Sequence, residues 1–352
     1  MAGSPQFQLL RKIPVSALNL EVEEYQHTAT GARHLHLAAD DDNNAFLVAF
    51  LTVPSDSTGV AHILEHTALC GSRRFPVRDP FFMMTRRSLN TFMNAFTASD
   101  WTAYPFASRN RKDYFNLLDV YLDAAFFPTL NELDFSQEGH RMEFAEPGNP
   151  ASELVYKGVV FNEMKGAMSS PISTLWQQFS EQLYPGITYH YNSGGDPRDI
   201  PNLSWQQLRA FHARHYHPSN ALFMTHGDIP AAELQARFSQ QVLSEFKAIE
   251  VDFAVPDEQR LTEPQTVQTT YALGSDEDPQ QKTHVVVGWL LGQNTNQHDV
   301  LEAALLSGAL LDNSASPLRQ ALETSDLGTA PSPLCGLEDS LREMAFACGL
   351  EG

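Results

Sequence analysis

Three cysteines in 352 residues (Cys70, Cys335 and Cys348) are too few for a disulfide framework. Cohesion must therefore come from a hydrophobic core, and a reducing cytoplasm is the expected compartment. No apolar run reaches the roughly 18 residues that a membrane-spanning helix needs, so no membrane partner is expected. The N-terminus has neither a lysine-led apolar core with a small-residue cleavage site nor the arginine and serine of a transit peptide. Basic residues are scarce, 23 Lys and Arg against 43 Asp and Glu, for a net charge of −20. Nucleic acid needs a basic face and is excluded as a partner. The deficit is uneven: residues 1–250 hold 19 basic and 27 acidic groups, and residues 251–352 hold 4 and 16. Such a field steers cationic peptides toward the protein, although it serves plain solubility equally well. G-x-S-x-G, G-x-x-x-x-G-K-[ST] and dinucleotide fingerprints are all missing, leaving serine-hydrolase and nucleotide chemistry without support.

Against these absences stands one dense motif, His62-Ile63-Leu64-Glu65-His66. On a helix, two imidazoles four residues apart project from one face about one turn apart, so both can reach a single Zn²⁺. Glu65 falls at the edge of that face, where a carboxylate can take a proton from water held at the metal. The order H-x-x-E-H is the inverzincin signature. The competing reading is a buried helix whose histidines merely hydrogen-bond. The flanks favour the metal: Ser55 to Thr58 and Gly59 supply a helix start, and Val60, Ala61, Ile63, Leu64 and Leu69 an apolar surround.

A hydrolytic zinc normally has a third protein ligand, and Glu163 in YKGVVFNEMKGAMSS is the best candidate. Val159, Val160, Phe161, Met164 and Met168 can bury a helix face, and a carboxylate inside it needs a partner. A solvated glutamate beside Lys165 is the alternative. Cys70, four residues after His66, reads as a small buried hydrophobe. His212, His215 and His217 form the densest histidine cluster, but their spacing does not put all three on one helix face and Pro218 breaks the helix, so they read as structural. His140 and Glu143 are expected on an exposed helix face.

At 352 residues the chain exceeds one ordinary domain. A buried strand is expected at Ala45–Val53, further strands at Ala221–Thr225 and THVVVGWLLG, and a hairpin at TFMNAFTA and WTAYPFAS. Helices are expected at the motif, at Asp79–Leu89, Lys112–Phe127 and Trp205–Tyr216, and at DVLEAALLSGALLD. The Pro- and charge-rich stretch 251–264 reads as a linker between a metal-binding domain, 1–250, and a second domain, 265–352.

HILEHTALCGSRRFPVRDPF, LNTFMNAFTASDWTAYPFAS, YLDAAFFP and YKGVVFNEMKG resemble the insulinase (pitrilysin) family of zinc metallopeptidases, in its presequence protease and falcilysin branch. The resemblance implies an α+β fold of repeated domains, each a mixed or antiparallel sheet flanked by helices, the second incomplete and non-catalytic. It implies one Zn²⁺ on His62, His66 and Glu163, with Glu65 as base, in an endopeptidase that degrades short or unfolded peptides. It also makes Asn94, Ala95 and Phe96 a sheet edge to which substrate adds as a strand; without the family, an interior strand is the better reading. The family closes two halves into a chamber and is more than twice this length, which implies a missing C-terminal half. Two alternatives follow: a zinc-binding fragment that needs that half as a separate chain, or a non-catalytic structural homologue.

Overall fold

The computed structural model describes residues 6–352. Four strands open the chain: β1 (Phe7–Val15), β2 (Leu20–His27), β3 (Arg33–Ala39) and β4 (Asn44–Leu51). Although β4 is apolar after Asn44, its residues alternate, and Phe46, Val48 and Phe50 lie on its buried face. Helices α1 (Val60–Ala68) and α2 (Pro80–Arg87) follow. The expected hairpin is present but interrupted: β5 (Asn90–Met93) and β6 (Phe96–Thr97) both pair antiparallel with β7 (Trp101–Ser108).

Helix α3 (Arg111–Phe126) starts where the Asn110 side chain accepts from the Asp113 amide, and it stops ahead of Pro128. After α4 (Glu132–Glu138) comes a two-stranded ribbon, β8 (Arg141–Phe144) with β9 (Leu154–Lys157). The helix expected around His140 and Glu143 is therefore a strand. Arg141 and Glu143, two apart on one strand face, pair at 2.6 Å, and Lys157 across the ribbon reaches Glu143 at 3.4 Å. Helices α5 (Val159–Ala167), α6 (Pro171–Leu183) and α7 (Trp205–His215) precede β10 (Ala221–Gly227) and α8 (Ala231–Gln241).

Of these ten strands, the eight outside the ribbon form one mixed sheet, ordered β1-β2-β3-β10-β4-β7-β5 with β6 also on β7. β10 returns between β3 and β4, parallel to the first and antiparallel to the second. Its aromatic core packs Phe46 against Phe106 at 5.3 Å and Phe223 against Phe238 at 4.7 Å. Tyr114, Leu117, Leu118 and Tyr121 of α3 complete it.

Contacts divide the chain into two compact units. The first runs to Asn162 and resumes over Ser193–Phe253, and the second joins Glu163–Asn192 to Ala254–Gly352. A contiguous cut near residue 250 does not anticipate the grouping of α6 with the C-terminal segment. Side-chain contacts explain it: the Tyr184 hydroxyl donates to the Glu343 carbonyl oxygen at 2.9 Å, and the Gly186 amide donates to Glu258 at 2.7 Å. From Phe246 to Thr283 there is neither helix nor strand, so the irregular stretch outlasts the expected 251–264. The second unit then adds β11 (His284–Gln293), α9 (Gln297–Leu311), α10 (Pro317–Glu323), β12 (Ala330–Pro331), β13 (Gly336–Glu338) and β14 (Glu343–Glu351). Its antiparallel sheet is ordered β11-β14-β12, with β13 also on β14. Sheets flanked by helices in this way make the α+β fold that the sequence leads one to expect.

Candidate active site

Helix α1 carries His62, Glu65 and His66. The two imidazole centroids lie 5.0 Å apart with their planes at 78°. The polar run before the helix does not cap it: Asp56 turns back onto the Thr58 amide and hydroxyl, and the N-cap residue is Gly59 at φ +70°. A side chain at residue 59 would be strained by that φ and would also meet the Gly194 carbonyl oxygen at 2.8 Å. The close approach is used, since the same oxygen lies 3.0 Å from His62 Nδ1. His66 Nδ1 lies 3.2 Å from Oε2 of Glu138, a buried carboxylate at the end of α4. Each imidazole is thus oriented through Nδ1 by an oxygen from another element, as histidine ligands of metals usually are.

Glu65 is only 8% exposed, and the Thr97 hydroxyl of β6 donates to its Oε2 at 2.6 Å. A buried carboxylate held on one oxygen is oriented for proton transfer through the other.

Glu163 lies on α5. Only Val160 and Phe161 of this helix are buried, and Glu163 itself is exposed. The argument that an apolar helix face forces a partner on this carboxylate therefore fails, because Val159, Met164 and Met168 do not close around it. Donor atoms of His62, His66 and Glu163 nonetheless all lie within 4.8 Å of one another. Among the described residues this is the one group of three or more His, Cys, Asp or Glu donors brought so close. The first turn of α5, Val159 to Asn162, belongs to the first unit. That turn is seated by two glycines. Gly139 ends α4 and packs against Ile63 of α1, and Gly158, just before α5, packs against Gly139.

The remaining candidates lie elsewhere. Cys70 is buried, its thiol donates to the His66 carbonyl oxygen at 3.5 Å, and burial followed by the charge of Glu138 pushes its ionisation well up. His212 bonds the Ala125 carbonyl oxygen, His215 that of Phe211, and His217 accepts from the Ser219 amide. Asn94 and Ala95 occupy the break between β5 and β6 rather than a continuous strand, and Phe96 begins β6. Asn94 is exposed, and its amide bonds inward to the Pro105 carbonyl oxygen at 3.2 Å. The exposed rings of Phe92 and Phe96 lie 6.3 Å apart on this outermost edge of the sheet. Sequence reasoning missed Glu138, Gly194 and Thr97, whose positions follow from chain crossings that no local pattern encodes.

The arrangement joins two nitrogen donors and one carboxylate oxygen, a set suited to a hydrolytic zinc, with a second carboxylate alongside. Residues 52–153 match the insulinase family (peptidase family M16), and residues 202–335 match the peptidase M16 inactive domain. The chain is 48% identical over 342 residues to the mitochondrial presequence protease of Xenopus tropicalis, covering 96% of this chain and 33% of that one. Identity to the mitochondrial presequence protease of Mus musculus is 47% over 349 residues, covering 98% and 34%. This chain thus spans about a third of the length of the curated relatives it matches. In fold it is similar to the crystal structure of pitrilysin, with a TM-score of 0.67 at 16% identity over 98% of this chain and 35% of that one. A protease from Helicobacter pylori gives 0.67 at 19% identity, over 94% and 75%. No helix among the described residues is long and apolar enough to cross a membrane. Matched by two domain descriptions of one family and by these relatives, the chain belongs to the insulinase family, peptidase family M16.

Proposed function

We propose that this chain carries the catalytic centre of a zinc-dependent endopeptidase that degrades short or unfolded peptides, in the manner of the presequence proteases it resembles. The observation that carries the reading is the convergence of His62, His66 and Glu163 within 4.8 Å beside the buried Glu65. With both Nδ1 atoms engaged by Gly194 and Glu138, Nε2 of each ring would face the ion. Zinc bound there would polarise the scissile carbonyl and make water a stronger nucleophile at neutral pH. Glu65 accepts the proton of the attacking water and returns it to the leaving amine, while Thr97 fixes the carboxylate.

Substrate enters as an added strand along β5 and β6, at Asn94, Ala95 and Phe96. The exposed pair Phe92 and Phe96 supports this edge as the contact for peptide side chains. The net charge of −20 favours cationic peptides among its substrates. Because the curated relatives are about three times longer, a C-terminal portion is proposed as the partner that completes the substrate chamber. A zinc-binding but slow fragment is the second reading. The intact donor cluster speaks against a purely structural homologue. Cytoplasmic residence, read from the sequence, competes with the mitochondrial naming of the relatives; a fluorescent fusion of the encoded protein decides between them.

The first test is metal analysis of the purified chain, for which about one zinc per chain is expected. A content below about 0.2 per chain overturns the proposal. Adding a candidate C-terminal half to a quenched basic-peptide assay separates the active enzyme from the fragment that needs completion.

A further inference from the structure

Cys335 and Cys348 both belong to the second unit: Cys335 closes a turn with Ser332 just before β13, and Cys348 lies on β14. β13 pairs with β14 so that Gly336 lies opposite Ala347 and Leu337 opposite Phe346. Continued by one residue, that register sets Cys335 opposite Cys348. On this side of β14 the hydrogen bonds fall on odd-numbered residues: Thr329 donates to the Glu351 carbonyl oxygen and Ser332 to that of Gly349. Cys348 therefore occupies a non-hydrogen-bonded position, where opposed Cα atoms approach to about 4.5 Å. Disulfides span Cα separations of about 4.4–6.8 Å. The sulfur position agrees. The Gly349 amide donates to Cys335 Sγ at 3.2 Å and the Cys335 thiol reaches the Gly349 carbonyl oxygen at 3.5 Å, so this sulfur rests against the backbone of the residue that follows Cys348.

We propose that Cys335 and Cys348 form a reversible cross-strand disulfide, a redox modification site on the sheet of the second unit with small-molecule disulfides as oxidant. Both thiols are free and half-buried, whereas Cys70 is buried behind α1. Burial, and then the neighbouring Cys335, hold the Cys348 thiol protonated, so the first exchange falls to Cys335. Its thiolate attacks the small disulfide, forming a mixed disulfide and releasing one small thiol. Cys348 then attacks the protein-side sulfur and releases the second. Two S–H bonds of the protein are replaced by one S–S bond, and the two electrons and two protons leave on the two small thiols. The bond would tie the β12–β13 segment to β14, restricting the one part of this sheet built from strands of only two and three residues.

The test incubates the 352-residue chain with oxidised glutathione, blocks the remaining thiols, and maps peptides by mass spectrometry without reduction. The expected result is a linked peptide pair containing Cys335 and Cys348, two hydrogens lighter than the sum of its parts and split by dithiothreitol. Titratable thiols should fall from three per chain to one, the survivor being Cys70. The single variants Cys335→Ser and Cys348→Ser, each expected to fold because both positions are half-buried, should yield no linked pair. Retention of three thiols overturns the proposal. So does glutathione found on either cysteine without a linked pair, or a linked pair that includes Cys70.

Discussion

Gly158 stands so close to Gly139 that a methyl group on its Cα would sit 1.9 Å from the Gly139 carbonyl oxygen. Gly139 in turn presses on Ile63 of the motif helix, where an added Cβ would meet Ile63 Cγ2 at 3.1 Å. Two residues without side chains thereby set the distance between α1, which bears both histidines, and the start of α5, which bears the carboxylate.

Replacing Gly158 by alanine should displace α5, because backbone cannot yield as a flexible side chain can. The overpacking should cost about 1–3 kcal/mol and lower the zinc retained after dialysis. Gly166→Ala in the same helix is the control: nothing lies within 4 Å of a Cβ there. That change should raise stability by up to about 1 kcal/mol, as alanine does in helix interiors. Equal zinc retention in the Gly158→Ala variant and the unaltered chain would show that the glycine contact does not set the ligand distance.

Glu65→Gln keeps the shape and the Thr97 contact but removes the proton acceptor. Zinc content should stay near one per chain while cleavage of a quenched peptide, assayed with whatever C-terminal portion activity requires, falls by about 10²-fold or more. Normal cleavage by the variant would remove Glu65 from the mechanism.

Glu138→Gln tests whether the carboxylate beside His66 Nδ1 orients that ring. Loss of an outer carboxylate typically weakens metal binding by about 10–100-fold. Competition with a chromophoric chelator reads this directly, and far-UV circular dichroism should be unchanged. An unaltered dissociation constant would reduce the contact to packing.

Acid should destabilise the first unit through its buried histidines. His215 is stacked between Phe211 at 3.9 Å and Phe253 at 4.5 Å, and burial lowers its pKa to about 4. His34 is lowered by burial to about 3. Below the ordinary histidine value of about 6.5, the unfolded chain takes up protons that the folded chain refuses. The stabilisation is complete above that value and is lost as pH falls through the window toward 4. The urea midpoint should therefore drop between pH 7 and pH 4.5, and His215→Phe should make the drop shallower. Identical pH dependence in that variant would rule out His215 as a contributor.

Local chemistry was readable wherever it depended on neighbours along the chain. The motif spacing placed two imidazoles and a carboxylate on one helix, and Pro128 marked the end of α3. Local reasoning failed where a partner strand or a chain crossing intervened. Arg141 to Phe144 could be threaded on a helix or a strand, and pairing with Leu154–Lys157 decided for the strand. The apolar residues around Glu163 point to a buried helix face, yet the residue is exposed, and its proximity to the two histidines of α1 is not encoded in that local pattern.

By itself the sequence determined which residue types could share a helix face, where along the chain apolar strands fall, and that charge would be strongly acidic. Those properties follow from periodicity and composition, which act over a few residues. Tertiary structure alone decided that Gly194 and Glu138 meet the two imidazoles, that Thr97 holds Glu65, and that α6 packs with the C-terminal segment. These contacts join residues 32 to 132 positions apart for the site. Their formation depends on how helices and strands pack once they exist, a choice made by steric fit and buried hydrogen bonds rather than by any local pattern.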